Sequence, residues 1–300
     1  MNRSVRKQTG LRLGWITLIG VMLGFFGIFV FGPDVQPATP DPDAQRNAPA
    51  LLETLSDAPT RRAVEALRAA SPATFAQLQT EAAFALKDGA DQNTLANLTL
   101  QALFGEFQNQ AVVFRSAQSA EYHAIIAELA NGLRELKAHD SDWCEGRQIA
   151  AYLAQNESDL VPTLLAEFPY QSPQYDWAMD WMSVILVTAK SAQDRPVANS
   201  RPGFRDEAAL QQAGLALGSE QWGLALQIAA FANSEGTSYA KMDEVVSGMD
   251  VCGLGIAVET VSERLPDDIR ARIWADLMPE IMIGNTPYVM WRITDYFFIG

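Results

Sequence analysis

The sequence predicts an all-α protein carried behind one membrane-spanning helix, and three observations predict it. From residue 51 onward apolar residues recur at helical spacing almost without interruption. The chain holds 44 Ala and 30 Leu against 20 Gly, a composition that favours helix. One 19-residue stretch near the N-terminus, Leu13–Phe31, carries no charge at all. Nowhere does a run alternate apolar and polar residues as a half-buried strand would.

Composition narrows the class before any motif is read. Three hundred residues suffice for one large domain or two modest ones with a real core. Hydrophobic residues at 48% and charged residues at 19% exclude both a disordered chain and a polytopic membrane protein. A net charge of −14 excludes a general nucleic-acid binder, which must neutralise phosphates.

The charge is unevenly placed. Residues 1–12 form a basic stub with Arg3, Arg6, Lys7 and Arg12 and no acid, and no further charge occurs before Asp34. The rest of the chain holds 18 bases against all 36 acids. Between stub and acidic body lies LGWITLIGVMLGFFGIFVF, about 28 Å long as a helix and close to the hydrocarbon thickness of a bilayer. A cleaved signal peptide is the alternative. Its apolar region would usually be shorter, and Pro33 directly after Val30-Phe31-Gly32 opposes cleavage there. The reading is therefore an uncleaved anchor over residues 13–32. The basic flank places the N-terminus in the cytoplasm and residues 33–300 across the membrane. With 17 Arg against 5 Lys and so much Ala, the composition points to a bacterial source, while Asn97-Leu98-Thr99 and Asn156-Glu157-Ser158 would be glycosylation acceptors in a eukaryotic secretory route. The expected location is the bacterial inner membrane, single-pass, with a periplasmic C-terminal domain.

Within the anchor, Gly20, Gly24 and Gly27 share one helical face, and Gly20–Gly24 is a formal GxxxG. Small residues at this spacing admit a second helix, although glycine is also common in membrane helices generally. Residues 33–50 (PDVQPATPDPDAQRNAPA) contain five of the fifteen prolines and read as a stiff, extended spacer.

The body, residues 51–300, is expected to contain about ten helices. The first, near 51–70, is interrupted at Asp57-Ala58-Pro59. Ser71-Pro72 and Ser172-Pro173 each offer an N-cap followed by proline at the first helical position. Leu100, Leu103, Phe104, Phe107, Ala111 and Phe114 make one apolar stripe; Tyr122, Ile125, Ile126, Leu129, Leu133 and Leu136 make another. His139–Asp142 ends the second of these helices. A break at 193–205 (QDRPVANSRPGFR) offers a division into 51–192 and 206–300, or a surface loop within one domain. Gly218-Ser219 reads as a turn between two helices. No repeat of fixed period supports a long solenoid, so an orthogonal bundle and a short irregular α-solenoid stay open. Ile281–Gly300, dense in Met and aromatics, is the closing core element or a docking tail; Pro287, Arg292 and Asp295 exclude a second span.

Cys144 and Cys252, both near expected helix starts, are the only cysteines. Beyond an oxidising membrane face, such a pair reads as one disulfide. Metal binding is the weaker reading. His139, Asp140, Asp142 and Glu145 lie near Cys144, but nothing similar surrounds Cys252.

The remaining chemical candidates each have a structural explanation. Ser238 and Lys241 form an SxxK without its companion motifs. Asp176 and Asp180, one turn apart and flanked by Trp177 and Trp181, resemble a glycan-processing pair, but acids outward and tryptophans inward give the same string. Gly253-Leu254-Gly255 lacks the third small residue and the preceding strand of a dinucleotide fingerprint, so close packing accounts for it better. His123, beside an apolar stripe, fits a structural role. No catalytic residue, cofactor or metal is therefore assigned. Two functional classes remain. The first is a non-catalytic interaction or assembly module, anchored in the lipid bilayer through residues 13–32 and binding other envelope proteins or itself. The alternative is a membrane-tethered peptidoglycan hydrolase.

Overall fold

A computed structural model describes residues 51–153, 166, 168–220, 223, 247–283, 285, 288, 289 and 292. Within it ten α-helices follow one another. They are α1 (Leu51–Thr54), α2 (Ala58–Ala70), α3 (Pro72–Lys87), α4 (Gln92–Gln110), α5 (Ser119–Ala138), α6 (Gly146–Leu153), α7 (Pro173–Asp194), α8 (Phe204–Glu220), α9 (Val251–Glu263) and α10 (Asp267–Met282). Two 3₁₀ helices, Ala111–Ser116 and Asp142–Cys144, lead into α5 and α6. The described residues contain no strand; one isolated antiparallel bridge joins Glu145 to Asp250. The fold is all-α.

Local chemistry sets the helix ends. Asp57 accepts from the Thr60 backbone N–H at 2.8 Å and starts α2, which turns the interruption at Asp57-Ala58-Pro59 into an N-cap. Asp91 does the same for α4 through Thr94, and Asp250 for α9 through Gly253, both at 2.8 Å. Gln118 and Glu121 form a reciprocal capping box on α5. Ser172 caps α7, accepting from Tyr175. Ser71 departs from the expected pattern: its hydroxyl donates to Thr74 Oγ1 at 3.0 Å rather than capping α3. Thr74 in turn donates to Glu106, a buried carboxylate on α4, and that acceptor draws the donor chain away from the helix end.

Both sequence stripes face inward. Leu100, Leu103, Phe104, Phe107, Ala111 and Phe114 are all buried, the last two from the 3₁₀ helix that prolongs the stripe past the end of α4. Tyr122, Ile125, Ile126, Leu129, Leu133 and Leu136 bury the inner face of α5. Among the described residues the most extensive packings join elements far apart in sequence: α2 on α7, α5 on α9, α5 on α7, and α10 on the 3₁₀ helix Ala111–Ser116. A solenoid would instead stack each unit mainly on its neighbour. One buried cluster takes residues from both sides of the 193–205 break, including Tyr122 and Met182 before it and Leu210, Leu254 and Met278 after it. Gly218 and Ser219 lie inside α8, not in a turn. Leu210, Ala213 and Leu217 give that helix one continuous buried face, so packing carries it past the glycine.

Among the described residues no helix is long and apolar enough to cross a membrane. The Leu13–Phe31 segment, the basic residues Arg3, Arg6, Lys7 and Arg12, the Gly20/Gly24/Gly27 face and the 33–50 spacer lie outside the described residues.

Candidate functional site

Two places bring the residues singled out in the sequence into contact. The first is the junction of α5, α6 and α9. Cys144, at the end of a 3₁₀ turn, and Cys252, in the first turn of α9, are disulfide-bonded, with Cα atoms 4.9 Å apart across 108 positions. The backbone is already paired there. Gly146 N–H donates to the Met249 carbonyl at 2.9 Å, and the Glu145–Asp250 bridge lies between that bond and the disulfide. Lys137 of α5 reaches the Asp250 carboxylate that caps α9. One turn onward, Gly255 allows Leu133 to sit against the α9 backbone, where a Cβ would collide with its side chain. Gly253 leaves room for the capping Asp250 carboxylate. Both glycines therefore serve close packing, and no strand precedes them. Arg134 pairs with buried Glu259 on the same interface.

The second place is the face shared by α2, α5 and α7, where Asp176 and Asp180 lie. Trp177 and Trp181 point inward. Their indole N–H groups donate to the carbonyls of Glu128 (3.0 Å) and Ile125 (3.2 Å) on α5, and their rings stack at 6.4 Å. Gly132 on α5 leaves the space that Trp177 fills. The aromatic pair is thus committed to helix packing and offers no open platform for a sugar ring. Asp180 accepts both Nε (2.9 Å) and Nη2 (2.6 Å) of Arg62 on α2. Burial, with Asp57 and Asp180 nearby, holds the Asp176 carboxyl above the usual carboxylate range, and Arg62 only partly offsets this. Glu128 is raised for the same reasons, burial first and then the charge of Asp180.

Residues not singled out in the sequence complete this face. Thr60 and the buried Tyr175 share a 2.7 Å hydroxyl contact, and Ser56 and Tyr170 one of 2.8 Å. The two tyrosine rings meet edge to face at 5.5 Å. Burial raises both phenols. One oxygen of Asp57 is buried without a hydrogen bond among the described residues. The signal that could have found this cluster was the Asp57-Ala58-Pro59-Thr60 N-cap together with Tyr170 and Tyr175 flanking Ser172-Pro173. The α7 start carries Tyr175 beside Asp176, and the α2 start carries Asp57.

His123 lies on α5 with Nδ1 buried and without a hydrogen bond among the described residues. Ser238 and Lys241 fall outside the described residues. Among the described residues no group of three His, Cys, Asp or Glu is placed to hold a metal ion.

No family model, no curated protein and no solved structure matches the chain.

Proposed function

We propose that this chain is a bacterial inner-membrane protein whose periplasmic helical domain works as a non-catalytic interaction or assembly module of an envelope complex. One observation carries the reading: a basic stub and a strongly acidic body flank a single uncharged segment of bilayer length, Leu13–Phe31, followed by a proline-rich spacer. The disulfide between Cys144 and Cys252 agrees with an oxidising compartment. In this reading Gly20, Gly24 and Gly27 hold a partner helix, or a second copy of the chain, in the bilayer. The acidic body steers a neutral or basic protein face toward it. The decisive experiment is a reporter fused after Gly300 that is active only when exported, combined with affinity purification of the full chain from gently solubilised membranes. Export activity and a co-purifying envelope protein are expected, with weaker recovery when Gly20, Gly24 and Gly27 are replaced by Leu. Reporter activity only in the cytoplasm would overturn the topology.

The second reading, a membrane-tethered peptidoglycan hydrolase, is favoured by one feature. The face of α2, α5 and α7 gathers Asp57, Asp176, Asp180 and Glu128, with Asp176 and Glu128 biased toward the protonated form that a general acid needs. Asp176→Asn and Glu128→Gln separate the two readings. The module reading expects cellular function to persist in both, whereas loss of function in a folded, membrane-associated variant favours the hydrolase.

A further inference from the structure

Helix α8 exposes two large apolar side chains opposite its buried face. Asp206, Leu210, Ala213 and Leu217 face the core and are buried. On the other side Phe204 is 82% exposed and Leu215 77% exposed, with Ala208 and Gln212 exposed beside them. At about 100° per residue, Phe204, Ala208 and Leu215 fall within an arc of about 40°. A surface helix normally turns charge outward, and this one turns a phenylalanine and a leucine.

The charge beside this stripe is opposite in sign to that of the body. Arg201 and Arg205 are exposed, and neither makes an ion pair among the described residues. The one acid on the flank, Glu207, is half-buried. The segment presenting these residues is held in place. Val197 N–H donates to the Ser116 carbonyl at 2.8 Å, and Asn199 Nδ2 donates to the carbonyls of Arg115 and Ala117 at 3.0 and 2.9 Å. Asp206 accepts from the Gly203 N–H at 2.9 Å and pairs with Arg272 at 2.7 Å. Phe204 and its arginines therefore stand on a fixed corner of the domain.

We infer that α8 rests on an anionic bilayer surface, with Phe204 and Leu215 entering the interfacial region and Arg201 and Arg205 meeting lipid phosphates. The inference rests on the proposed anchor, and two arguments select lipid over an acidic protein segment. An extended spacer of residues 33–50 reaches only about 56 Å, so the domain stays at high local concentration beside the bilayer. Arg201 and Arg205, exposed beside Phe204, supply the combination of cation and apolar side chain that interfacial binding at an anionic surface uses.

The test uses the full chain with p-benzoylphenylalanine in place of Phe204, reconstituted into vesicles of phosphatidylcholine with or without phosphatidylglycerol and irradiated. A lipid adduct on the peptide containing residue 204 is expected in the phosphatidylglycerol vesicles. Its yield should fall on the order of tenfold in phosphatidylcholine alone, and similarly when R201E and R205E are introduced. Equal adduct in both vesicles, no adduct, or a protein adduct replacing the lipid one in irradiated cells would overturn it. Carbonate washing of the same vesicles reads the anchor separately. A chain that stays bound but forms no adduct overturns the α8 contact alone, whereas a chain that washes off overturns the anchor.

Discussion

The contact of α5 with α9 and the contact of α2 with α7 are the two most extensive among the described residues, and they are held in opposite ways. At α5–α9 each acid has a cation: Glu259 has Arg134 and Asp250 has Lys137, and a disulfide closes the end of the interface. At α2–α7 the carboxylates outnumber their cation. Asp180 pairs with Arg62, whose charge also reaches Asp176, while Asp57 and Glu128 of α5 add two more acids nearby, and hydroxyl pairs such as Thr60–Tyr175 supply further polar contacts. On the acid-rich face burial and neighbouring carboxylates hold Asp176 and Glu128 above the usual carboxylate range. The difference shows that one helical domain can be closed covalently in one place and crowded with acids in another.

The largest effect expected is loss of the covalent closure. Replacing Cys144 and Cys252 with Ser should destabilise the domain by about 4–5 kcal/mol in the chain-entropy estimate for a loop of this length. Denaturant unfolding of the full chain, compared with the oxidised wild type, measures it. A loss below about 1 kcal/mol would mean that the backbone pairing at Gly146 and Met249 and the Lys137–Asp250 ion pair already hold the junction.

A smaller effect is expected at the contact of α5 with α7. Gly132→Ala would drive a Cβ into the Trp177 ring and should cost about 1–3 kcal/mol. Gly105→Ala at an exposed position of α4, where nothing lies within 4 Å, should instead stabilise by about 0.5–1 kcal/mol. Thermal unfolding of the two variants side by side checks this. Equal shifts would show that Trp177 moves freely and that the α5–α7 contact is looser than its geometry.

The smallest effect is in the pH dependence, and it sharpens the contrast most. Asp176 and Glu128 are raised in the folded protein, so the folded state binds their protons more tightly than the unfolded chain does. Their contribution is fully present below the ordinary carboxylate pKa and is lost as pH rises through the raised value. Asp206 behaves oppositely. Its hydrogen bonds to Arg272 hold it low, so its contribution is present above the ordinary pKa and lost as pH falls through the depressed one. Asp176→Asn with Glu128→Gln should therefore remove a fall in stability with rising pH in the mildly acidic range. Asp206→Asn should remove a fall in stability at lower pH. Urea midpoints across a pH series distinguish them, and parallel curves for the two sets of variants would contradict the assignment.

Much of this architecture was legible residue by residue. The stripes on α4 and α5 were readable because an apolar side chain every 3.6 residues has no other stable use in water. The caps at Ser172 and the helix break at Asp57 were readable because unpaired N–H groups at a helix start need an acceptor close in sequence. The cysteine pairing followed from there being only two, once the body was read as lying beyond an oxidising membrane face. What failed locally failed for one reason. Ser71 was a well-placed cap until Thr74 and buried Glu106 offered its hydroxyl another acceptor, and Gly218-Ser219 was a turn until the buried face of α8 ran through it.

The candidate site divided along the same line. Trp177 and Trp181 beside two acids look alike whether they line a cleft or a core. Only the α5 carbonyls of Glu128 and Ile125, dozens of residues away, settled that these indoles are packed. The collection of Asp57, Glu128, Asp176 and Asp180 on one face was invisible for the same reason, since three separate helices supply it. By itself the sequence determined the helical class, the helix starts, the inward stripes and the cysteine pair, because these depend on periodicity, nearest neighbours and count. Which helices touch, which acids share a cation and which apolar face stays uncovered were decided only by the tertiary structure. Those outcomes depend on side chains meeting across the core, and no local pattern encodes that distance.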